Sequence, residues 1–222
     1  MSPIDTLIAS KIINLLAAAI LVTTYLQICY QRLEACVEAY GLHSFLLALL
    51  AAVVAYATGF WHLYVAALLT FVIKTLFAPA ALKEIIRKIN VKREVELNVN
   101  VPGSLLISGG LTILAYYVTQ PISGPVTLLT RNCLAVSIAV ILIGMFLMII
   151  RVKAISQILG LLTLENGLFL GAIATTYGMP LIVEIGIFFD VLMAVLILVV
   201  FLNRINRTFV TLNTKELRKL RG

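Results

Sequence analysis

Runs of about twenty apolar residues, broken by short polar stretches, recur along the chain. A membrane-crossing helix needs ~20 mostly apolar residues at 1.5 Å rise per residue. On that measure the pattern predicts seven spans, at 6–28, 42–59, 61–80, 103–120, 132–150, 154–177 and 181–202. Pro102 fits a helix start, and Gly178 and Pro180 mark a tight turn between the last two spans. Only "GFWH" separates the second from the third. No repeat of fixed period is visible. The expected fold is an all-α, polytopic transmembrane helix bundle.

Composition agrees with the pattern. The chain is 62% hydrophobic and 12% charged, with mean hydropathy +1.09, where a soluble domain carries about 25% charged residues. So much apolar surface has no hiding place in a soluble fold. The N-terminal "MSPIDTLIAS" lacks a basic leader region and a small-residue cleavage site, so it is expected to be retained. Cys29, Cys36 and Cys133 form no C-x-x-C pair. Neither a disulfide, a metal site nor a bound cofactor is expected.

Charge sets the orientation. Arg32, then Lys83, Arg87, Lys88, Lys92 and Arg93, then Arg151 and Lys153 fall in alternate spacers. Arg204, Arg207, Lys215, Arg218, Lys219 and Arg221 follow in the C-tail, on the same side, making 14 of the 17 basic residues. The opposite face has Arg131 alone, while Lys11 and Lys74 lie within spans. Cytoplasmic loops carry excess Lys and Arg. The N-terminus is therefore expected outside and the C-terminus in the cytoplasm of a prokaryotic inner membrane. The net charge of +7 is thus read as loop asymmetry and not as a nucleic-acid surface. The segment "LKEIIRKINVKREVELNVN" (82–100) reads as a solvated connector or as a platform for a cytoplasmic partner.

Ionisable residues inside the spans are the candidate chemistry. Glu165 lies ~18 Å along a helix from Lys153, Asp190 ~21 Å from Arg204 and Lys74 ~14 Å from Lys83. All three fall near the central third of a bilayer; Glu184 is shallower. A charge at bilayer centre costs about 2.5–3.5 kcal/mol, while each Leu, Ile or Phe returns only ~0.3–0.6. The ten such residues of span 154–177 are worth roughly 5 kcal/mol. Glu165 removes over half of that, and Asn166, Gln157 and Ser156 erode the rest. The helix needs protein neighbours, and Gly160, Thr163, Gly167, Gly171 and Ala174 provide a small-residue stripe for them.

An intramembrane acid is first a functional candidate, and the bland alternative is an interhelical hydrogen bond. Lys74 is an ion-pair partner or a titrating site, and Pro79 is expected to break its helix by freeing the carbonyl near residue 75. Glu184 also suits a helix N-terminus. Trp61 and His62 read as an outer interfacial pair and His43 as its inner counterpart. Glu34 and Glu38 form a solvated cap or a proton entrance. No nucleophile–base pair, phosphate-cradling loop or dinucleotide fingerprint appears.

The segments "RVKAISQILGLLTLENGLFLGA", "PLIVEIGIFFDVLMAVLILVVFLNRINR" and the closing "TLNTKELRKLRG" resemble the K subunit of respiratory complex I. The likeness covers about residues 130–222. The full length, the Lys74 to Pro79 element and the "LENG" wording are similar to the hydrogenase-4 component E family of membrane subunits from hydrogenase and formate-hydrogenlyase-type complexes. The resemblance implies two regions. Residues 1–125 would form a four-helix membrane region with a basic cytoplasmic loop at 81–102, and residues 126–222 a three-helix K-like region with a short tail. It implies that Glu165 and Asp190 stand for the second- and third-helix acids, although Leu162 occupies the K pattern's own first acid position.

The expected role is a non-catalytic subunit of an oxidoreductase complex, lying beside antiporter-like membrane subunits and hydrogenase-type peripheral subunits. Glu165, Asp190, Lys74 and Glu184 would form a proton or cation path, supported by Asn166 and Thr163, with Gly160, Gly167 and Gly171 packing the helices. The alternatives are a structural scaffold for those partners, or a subunit of a quinone-linked or cation/proton antiporter complex. A stand-alone transporter is disfavoured, because no inverted repeat with paired broken helices is present.

Overall fold

The computed structural model describes residues 3–89, 99–121 and 131–176. These are almost wholly helical: α1 (Pro3–Cys29), α2 (Leu33–Thr58), α3 (Trp61–Thr70), a π-helical segment (Phe71–Phe77), α4 (Ala78–Ile89), α5 (Val101–Thr119), α6 (Arg131–Ile150) and α7 (Ala154–Thr176). Among the described residues six helical stretches are long and apolar enough to cross a membrane. They match the first six predicted spans in order. The predicted span 181–202, with Glu184 and Asp190, lies outside the described residues.

Two spans extend beyond their expected bounds. Helix α2 begins at Leu33, nine residues before the predicted start at 42. Glu34 and Glu38 therefore belong to a helix that emerges from the apolar zone, and Glu38 accepts a hydrogen bond from Lys83 of α4 at 2.9 Å. The third span runs on as one rod from Trp61 to Ile89. The helix break expected at Pro79 does not occur. Instead the preceding Phe71–Phe77 segment is π-helical, and the Ala78 N–H bonds the Ile73 carbonyl. A π turn shifts the acceptor register by one residue, and a proline close behind it sits within the first turn of α4, where a missing donor is tolerated.

The break between α2 and α3 is a glycine stop. Gly59 adopts φ +76° and its N–H caps Ala55 at 2.8 Å, a left-handed conformation that other residues adopt only at a cost.

Helix α2 is central, touching α1, α3, the π segment, α4 and α7, while α6 packs most extensively on α7 and also on α1 and α5. The core divides into apolar tiers. One joins Ile13–Ile20 of α1, Leu47–Ala55 of α2, Leu63 and Ala67 of α3, Val136 and Val140 of α6, and Leu170 and Ile173 of α7. Another joins Leu33–Tyr40 of α2, Ala78–Ile86 of α4, and Leu159 and Leu162 of α7. A third joins Ile28 to Ile143, Leu147 and Ile150.

Candidate functional site

Between these tiers lies a layer of buried polar side chains. Each helix crossing it supplies residues from the gap in its own apolar run. Thr23, Thr24 and Gln27 come from α1, His43 and Ser44 from α2, Thr70 and Lys74 from the α3–π rod, and Thr163, Glu165 and Asn166 from α7. All of these are buried.

The charged centre of the layer is an ion pair. Lys74 Nζ lies 3.2 Å from Glu165 Oε1, with the two side chains only 4% and 8% exposed. Lys74 sits in the middle of the π segment, where Val72, Leu76 and Phe77 face outward and Lys74 alone is buried. Glu165 and Phe169 share one face of α7 at i and i+4, and the Lys74 ammonium lies 6.0 Å from the Phe169 ring centroid, the outer reach of a cation–π contact. An ion pair this deep is shielded from bulk solvent. Such pairs are seldom a net source of stability, although removal of one partner is strongly destabilising.

Hydrogen bonds tie the pair's helix to its neighbours. Asn166 Nδ2 donates to Ser44 Oγ at 2.9 Å. Thr163 Oγ1 lies 2.7 Å from Gln27 Oε1 and 2.8 Å from the Leu159 carbonyl. His43 Nδ1 lies 3.2 and 3.3 Å from the hydroxyls of Thr23 and Thr24. At the end of α1, Arg151 is buried and its Nη2 donates to the carbonyls of Gln27, Ile28 and Tyr30 at 2.8, 3.4 and 3.0 Å. A cation there meets the carbonyls that a helix C-terminus leaves open, together with the negative end of its dipole.

Of the candidate residues, Lys74 and Glu165 are brought together, and Asn166 and Thr163 flank them with partners on α2 and α1. Gly160 and Gly167 face α6: a Cβ at Gly160 would fall 2.9 Å from Met148 Cγ, and one at Gly167 2.9 Å from the Ile141 backbone nitrogen. At Gly171 the nearest atom would be Ser137 Oγ at 3.1 Å. Glu184 and Asp190 lie outside the described residues.

Two sequence readings are corrected. His43 is not interfacial but fully buried within the layer, because the earlier start of α2 moves it ~15 Å from the helix end. Arg151, read as a loop charge, is an internal helix cap. Thr23, Thr24, Gln27 and Ser44 also belong to the layer, although none is a candidate from the sequence. A signal was present in "TTYLQ" (23–27), whose polar positions recur one helical turn apart in an otherwise apolar run.

Over 130 residues the chain is 42% identical to an uncharacterized protein of Mycobacterium tuberculosis, Rv0085, a match covering 59% of this chain and 59% of that protein's length. Over 213 residues it is 25% identical to hydrogenase-4 component E of Escherichia coli K12, covering 96% of this chain and 99% of that one. The Shigella flexneri hydrogenase-4 component E matches to the same extent. No family model and no solved structure matches the chain. Along nearly its whole length, the chain is thus similar to a component of hydrogenase-4.

Proposed function

We propose that this chain is a non-catalytic, multi-pass membrane subunit of a hydrogenase-type complex, and that Lys74 and Glu165 belong to a proton path driven by redox chemistry in other subunits. Its N-terminus lies outside and its C-terminus in the cytoplasm of the inner membrane, beside antiporter-like membrane subunits. The similarity to hydrogenase-4 component E over 96% of the chain supports the assembly, and the six apolar helices support the membrane setting.

The observation that carries the proton role is the Lys74–Glu165 pair inside the polar layer. Intramembrane charges are expensive, and they mark proton relays and ion pathways. A proton arriving on the carboxylate neutralises it and loosens its hold on the ammonium. The next departure of that proton restores the pair. A change in a neighbouring subunit that alters the polarity around the pair would then drive uptake and release. Asp190 and Glu184 are proposed to continue the path.

The test is proton translocation by the whole complex, reconstituted in liposomes, with Glu165→Gln. This variant keeps the shape and hydrogen-bonding capacity of the side chain but does not titrate. Hydrogen turnover should persist with translocation reduced about a hundredfold or more, the lower end of what a positioned proton-transfer group contributes. Full coupling in a normally assembled variant removes Glu165 from the path.

A further inference from the structure

His43 is a buried titratable group that the proposed path does not use, and its hydrogen bonds fix which ring nitrogen is available. Thr23 and Thr24 each donate their single hydroxyl hydrogen to the Ile20 carbonyl, at 2.7 and 3.0 Å. Both hydroxyls therefore meet His43 Nδ1 with lone pairs. Nδ1 must carry a hydrogen, and in the neutral ring Nε2 is an acceptor. His43 Nε2 has no hydrogen-bond partner among the described residues, and the ring is fully buried.

Two more groups of the layer share that condition. Asn166 gives its Nδ2 to Ser44, the residue next to His43, and its Oδ1 has no partner among the described residues. Gln27, one turn along α1 from Thr23, has an Nε2 in the same state. His43 Nε2 and Asn166 Oδ1 are both acceptors and cannot satisfy each other. Water has two hydrogens to give and lone pairs to receive the Gln27 amide, and buried polar groups that lack protein partners are ordinarily met by ordered water. Asn166 adjoins Glu165 in α7, which joins this group of side chains to the ion pair.

We infer that His43, Asn166 and Gln27 line an internal hydrated site between α1, α2 and α7, and that His43 Nε2 is a proton-relay atom of that site, exchanging protons through its water with the Lys74–Glu165 pair. Nε2 takes a proton from water and returns the same proton to water, while Nδ1–H stays bound to the threonines, so the ring need not flip. The hydration rests on three buried polar atoms without partners among the described residues, whereas the relay role rests on the proposed proton path.

The chain has two histidines, which makes the site readable. In liposomes, the ¹⁵N-histidine-labelled full chain, assigned with His62→Asn, should show an Nδ1–H tautomer for His43. In solid-state NMR its Nε2 should receive polarisation from water protons. A dry Nε2 overturns the inference. In the reconstituted complex, His43→Gln should assemble and keep hydrogen turnover while proton translocation falls about a hundredfold or more. If His43→Gln pumps normally while Glu165→Gln does not, the relay is overturned and the proton path survives. If both pump normally, the path falls and the relay with it. Should His43→Gln fail to assemble, the wild-type NMR measurement decides.

Discussion

Gly144 of α6 and Leu164 of α7 lie so close that a Cβ on the glycine would fall 2.7 Å from the Leu164 backbone nitrogen. Backbone cannot swing aside as a flexible side chain does, so the two helices would have to separate. Gly144→Ala should lower the stability of the chain in detergent by about 1–3 kcal/mol, the usual penalty of overpacking. Gly109 of α5 is the contrast, since a Cβ there meets nothing within 4 Å. Gly109→Ala should be neutral or stabilising by up to ~1 kcal/mol through helix propensity. Thermal unfolding followed by the fluorescence of the single tryptophan, Trp61, compares the two. Equal effects would mean that the close crossing of α6 and α7 is wrong.

The helices were legible because apolar runs of about twenty residues are a one-dimensional signal. Their ends were less so. Glu34 and Glu38 read as solvent, and a helix that leaves the bilayer and continues in water looks like a loop to hydropathy. That single displacement hid His43, moving it from an apparent helix end to the interior. The depth of Glu165 and Lys74 could be counted along their helices, but their pairing could not, because it depends on how the α3–α4 rod packs beside α7. Arg151 reads in the sequence as one more basic loop residue. Nothing in its neighbourhood announces that it reaches across to the carbonyls of α1, 124 positions away in the case of Gln27. Long-range hydrogen bonds are properties of packing, and one sequence carries little of them.

Replacing one member of the Lys74–Glu165 pair should differ sharply from replacing both. Lys74→Met strands a carboxylate in the core and should cost about 3–5 kcal/mol, while Lys74→Met with Glu165→Leu should recover most of that loss. The double variant also separates the two functional readings. If the pair only clasps the π segment to α7, an assembled double variant translocates protons normally. Under the proposed path it assembles and does not.

Arg151 closes the end of α1 with a donor that can reach several carbonyls at once. Arg151→Leu should destabilise the chain by about 3 kcal/mol, the scale of hydrogen bonds made by a charged donor. Arg151→Lys should recover only part of this, since an ammonium lacks the planar fork of guanidinium. The same unfolding measurement, with protease cutting between α1 and α2 as a local readout, checks the order native, Lys, Leu. A lysine variant as stable as the native chain would show that charge alone suffices.

The orientation can be read from a built-in thiol. Cys29 is exposed, whereas Cys36 and Cys133 are buried, so a bulky membrane-impermeant maleimide should find Cys29 first. It ends α1 just before Arg32. The Arg151 bond to the Tyr30 carbonyl and the Lys83 bond to Glu38 gather the ends of α1, α4 and α6 with the start of α2 on one face. That face therefore holds Arg32, Lys83, Arg87, Arg151 and Lys153 together, while the turn at Gly59 lies at the opposite end of α2. An excess of Lys and Arg marks the cytoplasmic side. Cys29 should accordingly be labelled in inverted vesicles and protected in right-side-out ones, and Cys29→Ser should abolish the labelling. The reverse pattern would invert the chain in the membrane and place the expected cytoplasmic tail on the outside.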